Sequence, residues 1–367
     1  MGHYEKRLEA DLKKVSDSVF QIGELVLNSY ECAIQALLDG NHDLSYETII
    51  GDRLVNREVK ELDKICLQFI ATHLPSGKHL RFVSSAMRAG IELERIGDYA
   101  STICRETVQL SRAPHKGAIS DEIKRMGVLS KKALKNALIA FKEKDGKKAE
   151  KTIDTSKNAS TNFDTFFEDL IDNENWEKKD QFTFLIIFYM LLRVSDQARN
   201  ICTETVFFLT GEGKPEKIYK ILFTDQSNSS LSQLTMAIAQ KKYNGCGHFE
   251  SAGKNPGKHV DPNLISFLND RGIKNDKLIP KGFDGMEREL ADFYIIVGLE
   301  GPVKDTVGSV PFHTIPLQWN VGEAPMADLS SEDACQKYEN LYRSISLELQ
   351  DLMNRLCGPS ENCCGES

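Results

Sequence analysis

Residues 221–233, Ile-Leu-Phe-Thr-Asp-Gln-Ser-Asn-Ser-Ser-Leu-Ser-Gln, have the layout of a phosphate cradle: a buried strand, a tight polar loop, then the amino end of a helix. Backbone N–H groups at such a turn point at an anion, and the helix dipole favours it. Asp225 stands at the floor of this loop. A carboxylate about 4 Å from a phosphate repels it by ~4 kcal/mol per unit charge at an effective dielectric of about 20. The amides and dipole return only ~1 kcal/mol, so phosphate is expected to bind poorly. A magnesium-assisted aspartate nucleophile is disfavoured, because no second carboxylate of the required spacing follows Asp225. Asn228 suits left-handed backbone and Ser232 suits a helix cap. A cation or a partner's basic side chain is the rival occupant at Asp225.

A second set of chemical residues lies in the first half. Glu94 and Asp98 are four residues apart, so both project from one helix face, where oxygen ligands can share a hard cation or an iron or zinc ion. Asp52 and Asn56 repeat the spacing on the preceding helix, and Asp154 and Asn158 do so later. Such pairs also occur on ordinary solvated faces. The competing assignment pairs Glu94 with Arg95 or solvent and Asp98 with Arg105.

The elements that must position these residues are of two kinds. Glu94–Val108 and Leu192–Val206 share Arg, Asp, Ala, Ile, Cys, Glu, Thr and Val in register, so the first half is an internal duplication. Leu93, Ile96, Ala100, Ile103, Thr107 and Leu110 form one apolar seam, and Leu191, Val194, Ala198, Ile201, Thr205 and Phe208 the other. That 3,4 spacing belongs to helices packed in a bundle. Similar periodicity covers Asp17–Leu38 and Val55–His73 in the first copy, then Asp121–Glu143, Lys147–Asp172 and Lys178–Leu209 in the second. Gly- and Asn-rich breaks separate these stretches, giving about three helices per repeat.

From Tyr219 the pattern changes to short apolar strands alternating with helices. Lys220–Thr224, Phe249–Ala252, Asp292–Val297 and His313–Trp319 read as strands; Leu231–Lys242, Pro262–Arg271 and Ser331–Leu356 read as helices. Alternation of this kind predicts a parallel sheet with helices on both faces and a ligand site beyond the carboxyl ends of the strands, where Asp225 to Ser230 fall.

The stretch Gly90-Ile-Glu-Leu-Glu-Arg-Ile-Gly-Asp-Tyr-Ala100 resembles the Glu-Arg-Ile-Gly-Asp signature of PhoU, a phosphate-signalling regulator built from two three-helix repeats, and the likeness spans about residues 1–211. The resemblance implies multinuclear metal clusters held by Glu/Asp-x-x-x-Asp motifs, with Fe, Zn or Mn as candidates. It also implies repression of phosphate-starvation signalling through contact with the phosphate transporter ATPase and a membrane sensor histidine kinase. Carried over, Glu94 and Asp98 are the intact motif. In the second repeat Leu192 replaces the first carboxylate and only Asp196 remains, while Asn56 and Asn158 each replace one acid. At most one good cluster is expected, with ligands drawn from Asp52, Asn56, Glu94, Asp98 and Asp196.

The loop at 221–233 resembles the Cys-x5-Arg-Ser loop of low-molecular-weight tyrosine phosphatases and arsenate reductases, a likeness that extends over about residues 218–357. It takes in Phe249-Glu-Ser-Ala-Gly253 with Asn255-Pro256, the strand at Phe293–Val297, and Leu317-Gln-Trp319. The family's nucleophilic cysteine and oxyanion-holding arginine correspond to Asp225 and Leu231 here. A thiolate nucleophile and a guanidinium are what such chemistry needs. The acid loop is altered as well: Glu323-Ala324 stands for the expected Asp-Pro, with Pro325 one place late. Gly298–Pro302 lacks the further cysteines of a reductase.

Composition bounds the rest. A 367-residue chain accommodates at least two cores, and 41% hydrophobic with 27% charged residues is ordinary for globular proteins. The net charge of −8 argues against nucleic acid. Met1–Lys14 is charged and lacks the apolar stretch of a signal peptide, and the most apolar run, Phe182–Leu192, is too short to span a bilayer. Nine cysteines, an odd number with Cys32, Cys66, Cys104 and Cys202 inside helical patterns, suit a reducing cytoplasm. Cys357, Cys363 and Cys364 read as a thiol-bearing tail.

The expected fold class is therefore multidomain, α plus α/β: two repeated three-helix bundles (1–113 and 114–211), a small parallel-sheet phosphatase-like domain (218–357) and a tail (358–367). The expected function is negative regulation of phosphate or other oxyanion signalling and transport by protein contact, with a catalytically inactive second domain. An active tyrosine-phosphatase-type hydrolase and a metal-binding buffer protein are the alternatives, and homodimerisation is left open.

Overall fold

Long amphipathic sequences with few internal breakers propagate as long helices, and the first half of the chain is built of them. The computed structural model describes residues 3–157, 166, 170–171, 176–213, 218–273, 278–283, 290, 292–311, 314–325 and 330–358. Its contacts divide the chain into two compact units, Met1–Pro215 and Glu216–Ser367.

The first unit comprises α1 (His3–Asp39), α2 (His42–His73), α3 (Gly77–Gln109), α4 (Ala118–Glu143), α5 (Gly146–Lys157) and α6 (Lys178–Thr210). The first two helices are longer than the periodicity suggested. α2 starts at His42 because Asn41 caps it, its side chain accepting from the Leu44 amide at 3.0 Å. Both apolar seams are buried throughout: Leu93, Ile96, Ala100 and Ile103 on α3, and Leu191, Val194, Ala198 and Ile201 on α6, share one core. The expected helix to Asp172 is described continuously only to Lys157, and Asn158 and the break at 173–175 lie outside the described residues.

Polar residues tie the two repeats together where α3 and α6 run side by side. Ser85 donates to Glu204 at 2.8 Å, Asn200 donates to Glu92 at 3.2 Å, and the Gln197 amide lies 3.1 Å from the Tyr99 hydroxyl. No described helix is long and apolar enough to cross a membrane.

The second unit has a four-stranded, all-parallel sheet in the order β2-β1-β3-β4. The strands are β1 (Tyr219–Asp225), β2 (Gly247–Gly253), β3 (Ile295–Gly298) and β4 (Ile315–Gln318); the helices are α7 (Leu231–Lys242), α8 (Pro262–Asp270), α9 (Val303–Val307) and α10 (Ser331–Cys357). Residues Ile221 to Asp225 of β1 are all buried, as a central parallel strand covered on both faces requires. Ile221 and Phe223 pack with Leu231, Leu234 and Ile345, whereas Leu222 points to the opposite face against Ile296 and Val303. β1 thus delivers Asp225 to the carboxyl edge of the sheet. β3 and β4 are shorter than the apolar stretches 292–297 and 313–319, because their pairing begins only at Ile295 and Ile315.

Candidate functional site: a carboxylate-filled amide nest and an incomplete acidic cluster

The loop after β1 is held from outside by the segment that follows β2. Amides of Lys254, Asn255, Gly257 and Asp261 donate to the carbonyls of Asp225, Gln226, Ser227 and Ser229 at 3.2, 2.8, 2.7 and 2.9 Å. With its carbonyls engaged on that side, the loop presents N–H groups inward. Asn228 adopts φ +47°, the left-handed conformation expected of it. Gly253 backs the loop so closely that a Cβ there would lie 2.6 Å from the Asn228 nitrogen.

The inward amides meet the Asp225 carboxylate. Oδ1 accepts from the Asn228 amide at 2.5 Å and Oδ2 from the Ser232 amide at 2.9 Å. Asp225 is 1% exposed. Burial pushes its carboxyl above the ordinary range, while the amides of Ser232, Asn228 and Ser227 and the Ser232 hydroxyl pull it back. The expected repulsion of an incoming anion is therefore joined by direct occupation of part of the nest: the Asn228 and Ser232 amides already have the Asp225 carboxylate as acceptor.

Asn228 braces the loop by side chain too. Its Nδ2 donates to Ser232 Oγ at 2.8 Å, and its Oδ1 accepts from Gln233 Nε2 at 3.0 Å and from the Lys281 amide at 2.7 Å. Ser232 is not the helix cap assigned from sequence. It sits inside the first turn of α7, the Asp225 carboxylate takes its amide, and its hydroxyl serves Asn228. Leu231, at the position of the expected guanidinium, is fully buried in the core. Glu323 lies exposed beyond β4 and makes no described bond to the loop.

Two participants were missed from sequence. Glu300 Oε2 accepts the Gln226 amide at 2.8 Å. Burial raises its carboxyl, the Gln226 amide lowers it, and the Asp225 charge raises it. Gln233 links Asn228 to the Ile279 carbonyl at 3.0 Å. Neither is marked by spacing; each becomes visible only once β1, β3 and α7 converge.

In the helical unit, Asp52 and Asn56 lie on α2 facing α3. Asn56 Nδ2 donates to Asp52 Oδ2 at 3.1 Å, and Asp52 Oδ1 and Asn56 Oδ1 are buried without a hydrogen-bond donor. Burial raises the Asp52 carboxyl, the Asp98 charge raises it further, and Asn56 and Arg105 oppose the rise. The competing assignment of Glu94 to Arg95 is displaced, since Arg95 pairs with Glu92 at 3.1 Å. Asp196 is bracketed by two guanidiniums, Arg193 at 2.9 Å and Arg199 at 2.6 Å, one on each carboxylate oxygen. Two orphaned oxygens beside Asp98 suit a cation, yet among the described residues no three Asp, Glu, His or Cys side chains converge as metal ligands. The donor set does not fit a multinuclear cluster of Fe, Zn or Mn.

This architecture, a duplicated three-helix motif followed by a small parallel-sheet unit, defines the class. Residues 19–107 and 123–205 match the PhoU domain family, and the amino-terminal half of the chain is a pair of PhoU domains. The chain is 26% identical over 212 residues to the phosphate-specific transport system accessory protein PhoU homolog of Pseudomonas aeruginosa, covering 57% of this chain and 88% of that protein. The crystal structure of the phosphate transport system regulatory protein PhoU from Streptococcus pneumoniae is similar with a TM-score of 0.52 and 26% identity, over 56% of this chain and 98% of that one. An arsenate reductase from Archaeoglobus fulgidus aligns with 36% of this chain and 98% of its own, at 22% identity and a TM-score of 0.30.

Proposed function

We propose that this protein is a negative regulator of phosphate, or related oxyanion, transport and signalling that acts by protein contact, its sheet domain serving as a non-catalytic docking or sensing module. The PhoU-domain pair supplies the link to phosphate transport, since its relatives are named as accessory or regulatory proteins of that system. One observation carries the non-catalytic part: with Asp225 and the buried Leu231 at those positions the loop has neither thiolate nor guanidinium, and the Asn228 and Ser232 amides are taken by the Asp225 carboxylate. Such a loop cannot stabilise the charge of a phosphoryl transition state. The partners that follow from the PhoU resemblance are the transporter ATPase and a sensor histidine kinase, and the cytoplasmic face of the membrane is where they are reached.

The purified full chain is tested for binding to the phosphate transporter ATPase and to the sensor kinase of the source cell, alongside a starvation reporter in a deletion strain. The expected result is saturable binding to at least one of them and reporter expression in phosphate-rich medium. An unchanged reporter with no binding to either protein rejects the regulatory reading.

A further inference from the structure

The fixed geometry of the loop after β1 has a consequence for ligands. We propose that Asp225 is a built-in oxyanion: its carboxylate occupies the amide nest in place of a free ligand and holds the loop permanently in the filled state. This rests on the reading of the sheet domain as non-catalytic and goes beyond it, because a dead enzyme can still bind its ligand. Here the domain is expected to be blind to phosphate, arsenate and similar tetrahedral anions.

Three observations support it. An ionised carboxylate is acceptor-only, and each Asp225 oxygen takes one backbone N–H, from Asn228 in the loop and from Ser232 in the first turn of α7, two of the donors an external oxyanion would draw on. The loop is held in this orientation: its carbonyls are bonded to the segment after β2, Asn228 adopts left-handed geometry, and Gly253 lies so close that a Cβ there would meet the Asn228 nitrogen at 2.6 Å. Finally, the Gln226 amide is closed by Glu300, a second carboxylate at the rim. The nest therefore carries a carboxyl group of its own in two places, with Leu231 supplying no compensating cation. Any response of the full protein to phosphate must then come through the helical unit.

The experiment is a calorimetric titration of the full chain with tungstate, a tetrahedral dianion, comparing wild type with Asp225→Ser and with Asp225→Ser combined with Glu300→Gln. Removing the plug should create a receptor: tungstate is expected to bind the serine variant at least about tenfold more tightly than wild type, and the double variant more tightly still. Equal affinity for wild type and a folded serine variant overturns the proposal, as does a folded variant that fails to bind. Should the serine variant not fold, Asp225→Asn is melted with and without tungstate. A rise in midpoint confined to that variant supports the plug; equal rises in both proteins, or none in the variant, overturn it. Aryl-phosphate hydrolysis is read separately. Tungstate binding to wild type without turnover would sink the plug while leaving the non-catalytic reading intact.

Discussion

The Ser232 amide donates to Asp225 Oδ2 across seven residues of chain, so the last residue of β1 caps the first turn of α7. One side chain thereby fastens strand, loop and helix.

Removal of that cap is costly. Asp225→Ala leaves two buried amides without acceptors, and charged caps and buried hydrogen bonds of this kind contribute about 2 kcal/mol. A second, lower thermal transition belonging to the sheet unit is expected in calorimetry of the variant, with the helical unit melting as before. A single unshifted transition would show the carboxylate to be dispensable.

Gly253 is expected to tolerate no side chain. Gly253→Ala places a Cβ 2.6 Å from the Asn228 nitrogen and 2.9 Å from the Ser227 carbonyl carbon, and backbone cannot yield as a flexible side chain does. Overpacking of this sort costs about 1–3 kcal/mol, measurable as a lower urea midpoint.

Leu231→Arg, made to restore the missing guanidinium, is expected to unfold the sheet unit rather than to revive a phosphatase. The leucine is fully buried in one core cluster with Leu234, Phe223 and Ile345, where a long charged side chain must displace packed apolar groups and lose its hydration. Soluble, folded Leu231→Arg protein with a native circular-dichroism spectrum contradicts this.

Asp52 gives a pH test of the acidic cluster. Burial and then Asp98 raise its carboxyl, so its contribution to stability is complete below the ordinary carboxylate range and is lost as pH rises through the folded value. Asp52→Asn does not titrate and is expected to be more stable than wild type near neutrality by a few tenths of a kcal/mol, given partial solvent screening. That advantage should shrink in acid. Urea titrations at the two pH values measure it, and a variant less stable at neutral pH in metal-supplemented buffer only would mean that the cluster holds a cation after all.

Much of this architecture was legible in the residues. The seams on α3 and α6 follow from spacing alone, because a helix in a bundle must bury every third or fourth side chain; the strand–loop–helix layout at 221–233 follows from an apolar run broken by small polar residues. Asp225 was recognisable as a misfit in an anion site, yet its partners were not, since hydrogen bonds to backbone amides leave no trace in residue types. Glu300 is a rim carboxylate only because β3 lies beside β1, and Asp196 pairs with Arg193 and Arg199, a competition that its spacing does not reveal. Long-range register and the competition of arginines for carboxylates are tertiary facts.

Steady-state hydrolysis of para-nitrophenyl phosphate by the full chain, beside Asp225→Asn, probes the non-catalytic reading of the sheet unit most directly. No release of nitrophenolate above the buffer rate is expected from either protein. A rate within about a hundredfold of ordinary phosphatase turnover, which spans roughly 1–1,000 per second for typical enzymes, that disappears in Asp225→Asn would make the aspartate a catalyst and contradict the account.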